Sequence, residues 1–256
     1  IGEITDYIWE LDRAVVCISQ EATCSYDTSA LTPGDYILDL TVSDGVGEAT
    51  DKADLTVAND IDCGDSLTGD NVLGEDLTCT TEGLLIEESD VSLDCGDHII
   101  TGISGIGLTV KYGGVETTTI NNIVVENCHF EGFDTGMLIY EVDSSDFTGN
   151  YILDYDEDGI NVNLSDSNII SGGIGEGNGV GVHLDSADGN TIEIDEINYS
   201  ALKAVELLKS DENTIEGLLA RADDDVDYIY LEESDNNVFT DVEVVNGAAT
   251  AEGNGV

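Results

Sequence analysis

The feature that most constrains the fold is a repeat of 22 to 24 residues in the second half of the chain. In each repeat an asparagine or aspartate follows two apolar positions, and a further, mostly apolar position comes two residues later. The four columns are Asp146, Asn168, Asn190, Asn213 and Asn237; Leu138, Ile160, Val182, Val205 and Ile229; Tyr140, Val162, Leu184, Leu207 and Leu231; and Thr148, Ile170, Ile192, Ile215 and Phe239. Columns that keep one register across five repeats predict a solenoid, in which each repeat packs against its neighbours.

The composition of the repeats favours a β-solenoid over the other solenoid types. Apolar and polar residues alternate over short stretches, which is the period of a strand, and Asx and glycine residues mark the turns. A helical solenoid needs longer amphipathic runs, which the density of Gly, Asn and Asp disfavours, and the LxxLxL pattern of leucine-rich repeats is absent. We therefore predict a right-handed parallel β-helix of about seven coils over residues 59–256, with a short C-terminal tail.

The earlier coils follow the same columns less exactly. Leu84 and Leu108 are 24 residues apart, whereas Leu108 and Leu138 are 30 residues apart. We interpret the excess, near residues 112–119, as a loop that leaves one coil.

The first 58 residues differ in character from the repeats. Stretches of alternating apolar and polar residues at 36–42 and 53–57 flank a turn at 43–47, which predicts a β-hairpin. The segments Tyr7-Ile-Trp9-Glu-Leu-Asp12, Pro33-Gly-Asp-Tyr36 and Leu40-Thr-Val-Ser-Asp-Gly45 resemble the PKD family of immunoglobulin-like domains. The resemblance implies a partial Ig-like β-sandwich over residues 1–58, incomplete at its N-terminus, with Trp9 in its core.

A second resemblance covers about residues 60–250. The segments that carry it are Asp62-Cys63-Gly64, Glu75-Asp-Leu-Thr-Cys79, Val91-Ser-Leu-Asp-Cys95-Gly-Asp-His98-Ile-Ile-Thr-Gly102 and Ile123-Val-Val-Glu-Asn-Cys128. They are similar to the NosD-like parallel β-helix repeats of archaeal and bacterial surface proteins. The resemblance is specific for the fold and leaves the activity open, because such repeats occur in lyases, isomerases, adhesins and scaffolds alike.

The six cysteines all lie in the first half of the chain, without a CxxC spacing. An even number in this setting indicates disulfides and an oxidising compartment. Cys17 and Cys24 close a short loop, most simply with each other. The NosD-like resemblance implies the pairs Cys63–Cys79 and Cys95–Cys128. The last pair also follows from position, because both cysteines end equivalent strands of neighbouring coils.

Charge excludes several classes of partner. The chain has 56 acidic and 6 basic residues, a formal net charge of −50, while hydrophobic residues make up 41%. That fraction predicts a folded core with the charge outside it. Self-repulsion then implies high ionic strength or bound cations, and adaptation to saline surroundings alone would account for the charge. Nucleic acid and anionic membranes are poor partners, because both need a basic patch that this chain lacks, and no nucleic-acid partner is expected.

The same features indicate an extracellular or cell-surface protein. No apolar run is long enough to span a bilayer, so direct membrane insertion is not expected. The chain starts at Ile1 without a basic and apolar leader, and we expect a signal peptide or upstream domain to have been removed or to lie outside this sequence. The sequons at Asn163 and Asn198 are candidate glycosylation sites.

The sequence contains no recognisable catalytic site. β-Helix lyases generally need a basic residue that removes a proton, and the six basic residues here fall in no known motif. β-Helix glycosidases need paired carboxylates, but their characteristic Gly-His-Gly and Arg-Ile-Lys segments are missing. Aromatic residues are few, and no sugar-stacking face is evident. We therefore predict no catalytic residues and a protein that is not an enzyme.

One acidic turn is a candidate calcium site. The segment Asp154-Tyr-Asp156-Glu-Asp158-Gly159 matches the opening of a calcium-binding loop, but its twelfth position is Ser165, which excludes an EF-hand. Its three aspartates, with Asp134 from the preceding turn, are the candidate ligands of a structural calcium ion; the alternative is a solvated acidic turn. The run Asp223-Asp-Asp225 is a weaker candidate, and no cofactor is required.

A zinc site is the alternative to one of the disulfides. His98 and His129 lie close in sequence to Cys95 and Cys128, which permits a Cys2His2 set. A disulfide with two uninvolved histidines is favoured over this zinc site in an oxidising compartment.

The solenoid ends point to a structural role. No amphipathic cap follows the last coil, residues 238–245, and an open end exposes unpaired backbone. We therefore expect a self-assembling sheath, fibre or surface-layer subunit of an archaeon, which forms homopolymers. The contact would include Val238, Val242 and Val244, or the N-terminal unit of the next copy. The alternative is a surface protein that binds or cleaves carbohydrate, with cell-surface glycans as its partners.

Overall fold

The structure is a computed structural model that describes residues 4–26, 31–114, 118–198, 202–221, 227–245 and 248–252. These residues form strands and turns, so the predicted all-β class is confirmed. Among them there is no helix of the length and apolar character needed to cross a membrane. The chain divides into two compact units, Ile1–Asn59 and Asp60–Val256.

The first unit is an antiparallel sheet. Its strands are β1 (Asp6–Leu11), β2 (Ala14–Ser19), β3 (Gly34–Ser43) and β4 (Glu48–Val57). They lie in the order β2-β1-β3-β4. The turn between β3 and β4 is held by Asp44, whose Oδ1 accepts the backbone N–H groups of Val46 and Gly47. This is the hairpin that the sequence alternation predicts.

The described part of this unit contains one sheet where the sequence led us to expect a two-layer sandwich. Trp9, expected in the sandwich core, is only half-buried, although its indole Nε1 is shielded from solvent and has no hydrogen-bond partner. Leu11 is the one residue of the described unit that is fully buried. A single sheet shields its side chains only through their neighbours on the same face, which explains the difference.

The second unit is a solenoid of short strands. They are β5 (Ser66–Leu67), β6 (Asp70–Val72), β7 (Leu77–Thr78), β8 (Leu84–Ile86), β9 (Ser92–Asp94), β10 (Ile99–Thr101), β11 (Ile106–Lys111), β12 (Ile120–Asn121), β13 (Val124–Glu126), β14 (His129–Glu131), β15 (Thr135–Tyr140), β16 (Val142–Asp143), β17 (Asp146–Leu153), β18 (Asp158–Asn163), β19 (Ile169–Ile174), β20 (Val180–Asp185), β21 (Thr191–Asn198), β22 (Lys203–Leu208), β23 (Thr214–Glu216), β24 (Leu219–Arg221), β25 (Asp227–Glu232), β26 (Val238–Thr240), β27 (Glu243–Val245) and β28 (Ala248–Glu252).

Parallel pairing between successive coils builds two main sheets from the described strands. A nine-stranded sheet has the order β28-β25-β22-β20-β18-β15-β11-β8-β5, and a 13-stranded sheet takes all the others except β12 and β16, which pair with each other. The chain alternates between the two sheets for about seven turns, which confirms the predicted parallel β-helix. The residues near 112–119, expected to form a loop, lie between β11 and β12.

The structure corrects the predicted register of one coil. There the column members lie one residue earlier than predicted: Met137, Ile139, Ser145 and Phe147 replace Leu138, Tyr140, Asp146 and Thr148. Side chains alternate between the two faces of a strand, so this error moves a predicted core residue to the surface. The core and surface neighbours in β15 are both apolar, and hydrophobicity alone therefore could not choose between them.

A ladder of buried asparagines joins the coils at one turn. Asn168, Asn190 and Asn213 are at most 1% exposed. The Asn190 Oδ1 accepts the backbone N–H of Asn168 at 2.9 Å, and the Asn213 Oδ1 accepts that of Asn190 at 2.7 Å. Each Nδ2 also donates to a backbone carbonyl, as Asn190 does to Ser165 at 2.9 Å. The side chains thus satisfy backbone groups that a turn leaves without partners.

Candidate functional site

The last coil of β26 and β27 differs from earlier coils in the burial of its inward side chains. Phe239, Val242 and Val244 pack against the core but are only partly buried. The residues in register with Phe239 and Val244 one coil earlier are Ile215 and Ala220, which are 1% and 0% exposed. Val242 and Val244, predicted contact residues, therefore lie on an incompletely covered apolar surface.

Val238 lies on a different side of this coil. It alternates with the inward-facing Phe239 along β26 and stands in register with Thr214. Its side chain is 51% exposed on the outer face of the sheet. The structure therefore separates Val238 from the apolar surface that Val242 and Val244 share.

The predicted C-terminal tail contains a further strand. Residues 248–252 form β28, which pairs in parallel with β25 and continues the nine-stranded sheet. Small residues such as Ala248 and Ala249 have low strand propensity, so the sequence pattern gave no indication of a strand there. Pairing with an existing sheet edge overrides that weak preference. The unpaired backbone edge in the described solenoid thus includes β28.

The first coil is better covered than the last. Leu67, Leu73 and Leu77 are 4%, 3% and 8% exposed, although they belong to the coil of β5, β6 and β7. A disulfide between Cys63 and Cys79, with Cα atoms 5.6 Å apart, holds the segment before β5 to this coil. The two ends of the described solenoid therefore differ, because the inward apolar side chains are buried in the first coil and only partly buried in the last.

A column of aspartates runs beside the asparagine ladder, on the outside of the same turn. The Oδ1 of Asp166 accepts the backbone N–H of Asp188 at 2.8 Å, and the Oδ1 of Asp188 accepts that of Asp211 at 2.7 Å. The same bond joins the other neighbouring pairs of the column. Its members are Asp143, Asp166, Asp188, Asp211 and Asp235. This column was not predicted from the sequence, although each member lies two residues before a ladder position.

The four predicted calcium ligands are not brought together. Asp134 accepts the backbone N–H of Gly105 at 2.8 Å, and Asp158 accepts the Asn161 Nδ2 at 2.6 Å. Asp154 and Asp156 line a separate surface pocket. Across the described ranges, no three His, Cys, Asp or Glu side chains are grouped so that they could hold a metal ion. The predicted set therefore does not form a ready-made calcium site, and the run 223–225 lies outside the described residues.

The cysteines pair as the sequence analysis expected. Cys95 and Cys128 form a disulfide with Cα atoms 4.8 Å apart, which removes both sulfurs from the zinc alternative. The third pair is Cys17–Cys24.

The histidines of the zinc alternative have separate surroundings. The His98 Nδ1 lies 3.0 Å from the Asp76 Oδ1, which also accepts the Ile99 backbone N–H. The hydrogen bond from Ile99, and to a smaller extent the contact with His98, hold the pKa of Asp76 below its usual value. His129 instead faces Tyr151, with ring centroids 6.3 Å apart. The zinc set is thus not formed.

The two sequons differ in what the structure describes. At Asn163, the serine of the sequon is fully buried, and the Ser165 hydroxyl donates to the Asn163 carbonyl at 2.7 Å. Modification there would therefore have to precede folding. Asn198 ends β21, and the rest of its sequon, residues 199–200, lies outside the described residues.

Comparison with known proteins gives a family match and a distant structural likeness. A family model described as periplasmic copper-binding protein (NosD) matches residues 68–251. A crystal structure of the enzymatically active domain of tailspike protein 2 from bacteriophage CBA120 is similar at 14% identity and a TM-score of 0.28. The match covers 74% of this chain and 41% of that one. No curated protein matches the chain.

Proposed function

The chain belongs to the NosD family, and we propose that it is a structural, self-assembling subunit of a sheath, fibre or surface layer outside the cell. Its three disulfides fit an oxidising compartment. An archaeal surface is the setting that we propose, from the surface proteins that the repeats resemble.

The observation that carries the proposal is the partly covered C-terminal coil. Phe239, Val242 and Val244 leave apolar surface at a place where the preceding coils bury theirs almost completely. The strands β26, β27 and β28 also present an unpaired backbone edge in the described solenoid. A second copy of the chain offers both an apolar surface and backbone partners, and it is the occupant that we propose.

The charge distribution supports growth in one direction. The aspartate column lines the side of the solenoid with carboxylates in successive coils, and the chain as a whole carries a formal charge of −50. Like charges on facing sides repel, whereas contact through an apolar end does not require such sides to meet. Salt or divalent cations would therefore regulate the sideways association of assemblies.

We also propose that the first unit is a PKD-like module of this subunit. Its antiparallel sheet and the β3–β4 hairpin agree with the residues that resemble that family. Half-buried apolar side chains such as Tyr7, Trp9 and Leu40 occupy one face of the sheet, because Trp9 pairs with Leu40 across strands and Tyr7 lies two residues before Trp9. This face is a second candidate for contacts between copies.

The residues of this chain do not fit the copper ligation that the family description names. Copper(I) prefers thiolate, thioether and imidazole ligands. All six cysteines form disulfides, and Met137, the one methionine of the chain, is 0% exposed in the core. Among the described residues, none of the three histidines belongs to a group of three or more His, Cys, Asp or Glu side chains that could hold a metal ion. We therefore do not extend copper binding to this protein.

The proposal is tested by the size and shape of the purified protein at high concentration and high salt. Light scattering and negative-stain electron microscopy should show ordered fibres, tubes or sheets. Val242→Lys places a charge on the apolar end and should block assembly. Ile169→Lys makes the same kind of change at a position that is 42% exposed in the middle of the solenoid, and it should leave assembly intact.

Circular dichroism and non-reducing peptide mapping show whether each variant is folded. A wild-type protein that stays monomeric under these conditions contradicts the structural proposal and favours the carbohydrate-active alternative. Equal assembly of folded Val242→Lys and wild type would contradict the contact surface.

A further inference from the structure

The turn that leads into β20 contains an asparagine followed by a glycine. Asn178 and Gly179 lie between the end of β19 and the start of β20, and the asparagine is exposed. The sequence has two other Asn-Gly pairs, at 246–247 and 254–255, and both lie outside the described residues. Asn178-Gly179 is therefore the pair whose surroundings can be described.

The packing of the coils requires glycine at position 179. A Cβ atom added to Gly179 would lie 1.4 Å from the carbonyl oxygen of Glu157 in the preceding coil, a distance at which the two atoms overlap. Glycine is the residue without a Cβ, so it alone fits against this backbone. The missing side chain also leaves the Gly179 nitrogen without the steric shielding that a larger residue would provide. The fold thus places the least hindered type of peptide nitrogen directly after Asn178.

The backbone N–H of Gly179 is not used to hold the coils together. Gly179 is buried, yet its N–H donates no hydrogen bond to another described residue. The N–H groups on either side are both used: Asn178 donates to the Tyr155 carbonyl at 2.8 Å, and Val180 donates to the Glu157 carbonyl at 2.8 Å. A reaction at the Gly179 nitrogen therefore breaks no hydrogen bond of this N–H within the described structure.

The side chain of Asn178 is on the surface and has one hydrogen-bond partner among the described residues. Its Nδ2 donates to the Asp156 Oδ1 at 2.7 Å. The buried Asn190 of the ladder, by contrast, is bonded through both its Oδ1 and its Nδ2. Water therefore reaches the amide of Asn178, which a single bond restrains.

We propose that Asn178 is a site of spontaneous deamidation. The Gly179 nitrogen attacks the Asn178 Cγ, and the Cγ–Nδ2 bond breaks. The proton of the Gly179 nitrogen passes through water to the departing Nδ2, which leaves as ammonia, and a succinimide ring is formed. Water then adds to one of the two ring carbonyls. Cleavage of the N–Cγ bond gives aspartate, and cleavage of the bond to the main-chain carbonyl carbon gives isoaspartate. Nothing is oxidised, and water is the one co-reactant.

Either product changes the contact between two coils. A carboxylate at position 178 would replace the hydrogen bond to Asp156 by a like-charge contact, in a pocket that Asp154 and Glu176 also line. Isoaspartate in addition lengthens the backbone between the Asn178 and Val180 N–H groups, both of which bond to the preceding coil. The two bonds then cannot both keep their geometry. The reaction should therefore loosen the start of β20.

Peptide mapping by mass spectrometry measures the reaction in wild-type protein that is aged, folded and with its disulfides intact, in mildly alkaline buffer. Asn178 should lose its amide at least about tenfold faster than Asn161, a ratio that corresponds to a barrier lower by about 1.4 kcal/mol. Asn161 is the matched control within the same molecule. Its Nδ2 also donates to a carboxylate, that of Asp158 at 2.6 Å, but the residue after it is the β-branched Val162. If Asn178 loses its amide no faster than Asn161, the proposal is wrong.

Hydrogen exchange at the Val180 amide tests the effect on the coils. It should be faster in aged than in fresh wild-type protein, because the bond to Glu157 is weakened. Ageing should not change it in Asn178→Gln, since the longer side chain closes the corresponding ring far more slowly. Equal Val180 exchange in fresh and fully deamidated protein would contradict the loosening.

Asn178→Asp introduces the carboxylate without ageing. Its midpoint of thermal unfolding should lie below that of the wild type at low salt and approach it at high salt, because salt screens repulsion between exposed charges. A difference in midpoint that does not depend on salt would contradict the electrostatic part of the effect. The reaction involves no contact between copies, so these results are independent of the assembly proposal.

Discussion

Asn190 lies one coil above Asn168, and its Oδ1 accepts the Asn168 backbone N–H at 2.9 Å while its Nδ2 donates to the Ser165 carbonyl at 2.9 Å. One side chain therefore satisfies backbone groups of the preceding coil on both sides of a turn. The residue is 0% exposed, so water cannot replace these bonds if the side chain is removed.

Replacement of Asn190 by leucine should destabilise the solenoid by about 3 kcal/mol, because buried donors and acceptors lose their partners. The control is Asn178→Leu, in which an exposed side chain loses one surface hydrogen bond to Asp156. It should cost less than about 1 kcal/mol. Urea unfolding followed by circular dichroism measures both values, and equal midpoints would contradict the role of the ladder.

Removal of the Cys95–Cys128 disulfide should destabilise the solenoid by about 4 kcal/mol in the double variant Cys95→Ala/Cys128→Ala. The bridge spans a sequence separation of 33, and a longer closed loop restricts the unfolded chain more strongly. The double variant Cys63→Ala/Cys79→Ala opens a separation of 16 and should cost about 3 kcal/mol. Losses below about 1 kcal/mol in both would show that the disulfides do not constrain the unfolded state in this way.

Substitution of Asp188 by asparagine should stabilise the protein at low ionic strength by about 0.5–1 kcal/mol. The change removes one charge from between Asp166 and Asp211 but keeps an oxygen that can accept the Asp211 N–H. High salt should abolish the gain, because it screens the repulsion between exposed charges. Asp188→Ala removes charge and acceptor together and should gain less. Thermal unfolding of each variant across a salt series measures the gain in stability. A gain that is independent of salt would contradict the electrostatic cause.

His183 should contribute to stability in a pH-dependent manner. Its folded-state pKa is raised above 6.5, chiefly by the hydrogen bond with Asp158. This contribution is therefore fully present below pH 6.5 and is lost as pH rises through the raised value. The stability difference between wild type and His183→Gln should shrink as pH rises through that window. A stability difference that grows with pH would contradict the raised pKa of His183.

The protein should not retain stoichiometric copper(I). Its cysteines are all oxidised in disulfides and its methionine is buried, so the soft ligands that this ion prefers are not available. Competition with a bathocuproine chelator under non-reducing conditions measures retention directly. Reduction of the disulfides should raise copper binding and provides a positive control. Retention of one equivalent by the oxidised protein would contradict the ligand argument.

The sequence predicted the parallel β-helix because the repeat imposes one register on many coils. The predicted register was wrong at Met137, because the neighbouring residue, Leu138, is equally apolar and the coil length varies by one residue. The Asn column was predictable from its type and spacing alone. The bonds of Asp188 followed the same spacing, but abundant carboxylates elsewhere concealed the column.

The contact between Asp158 and His183 could not be predicted in the same way. Asp158 and His183 are 25 residues apart, and they meet only because β18 and β20 pair in one particular register. The predicted calcium set is also not assembled, because Asp158 accepts the Asn161 amide whereas Asp154 and Asp156 line a separate surface pocket.

The placement of the disulfides gives the solenoid a mechanical asymmetry. Each coil is bonded only to its neighbours, so a force that pulls on the C-terminal side would unfold the coils one at a time. No cysteine lies beyond Cys128, and the residues after it can be drawn out to about 3.5 Å each. This stepwise unfolding would stop at the Cys95–Cys128 disulfide, because that bond is covalent. The subunit would thus lengthen under load in its second half and stay compact in its first coils.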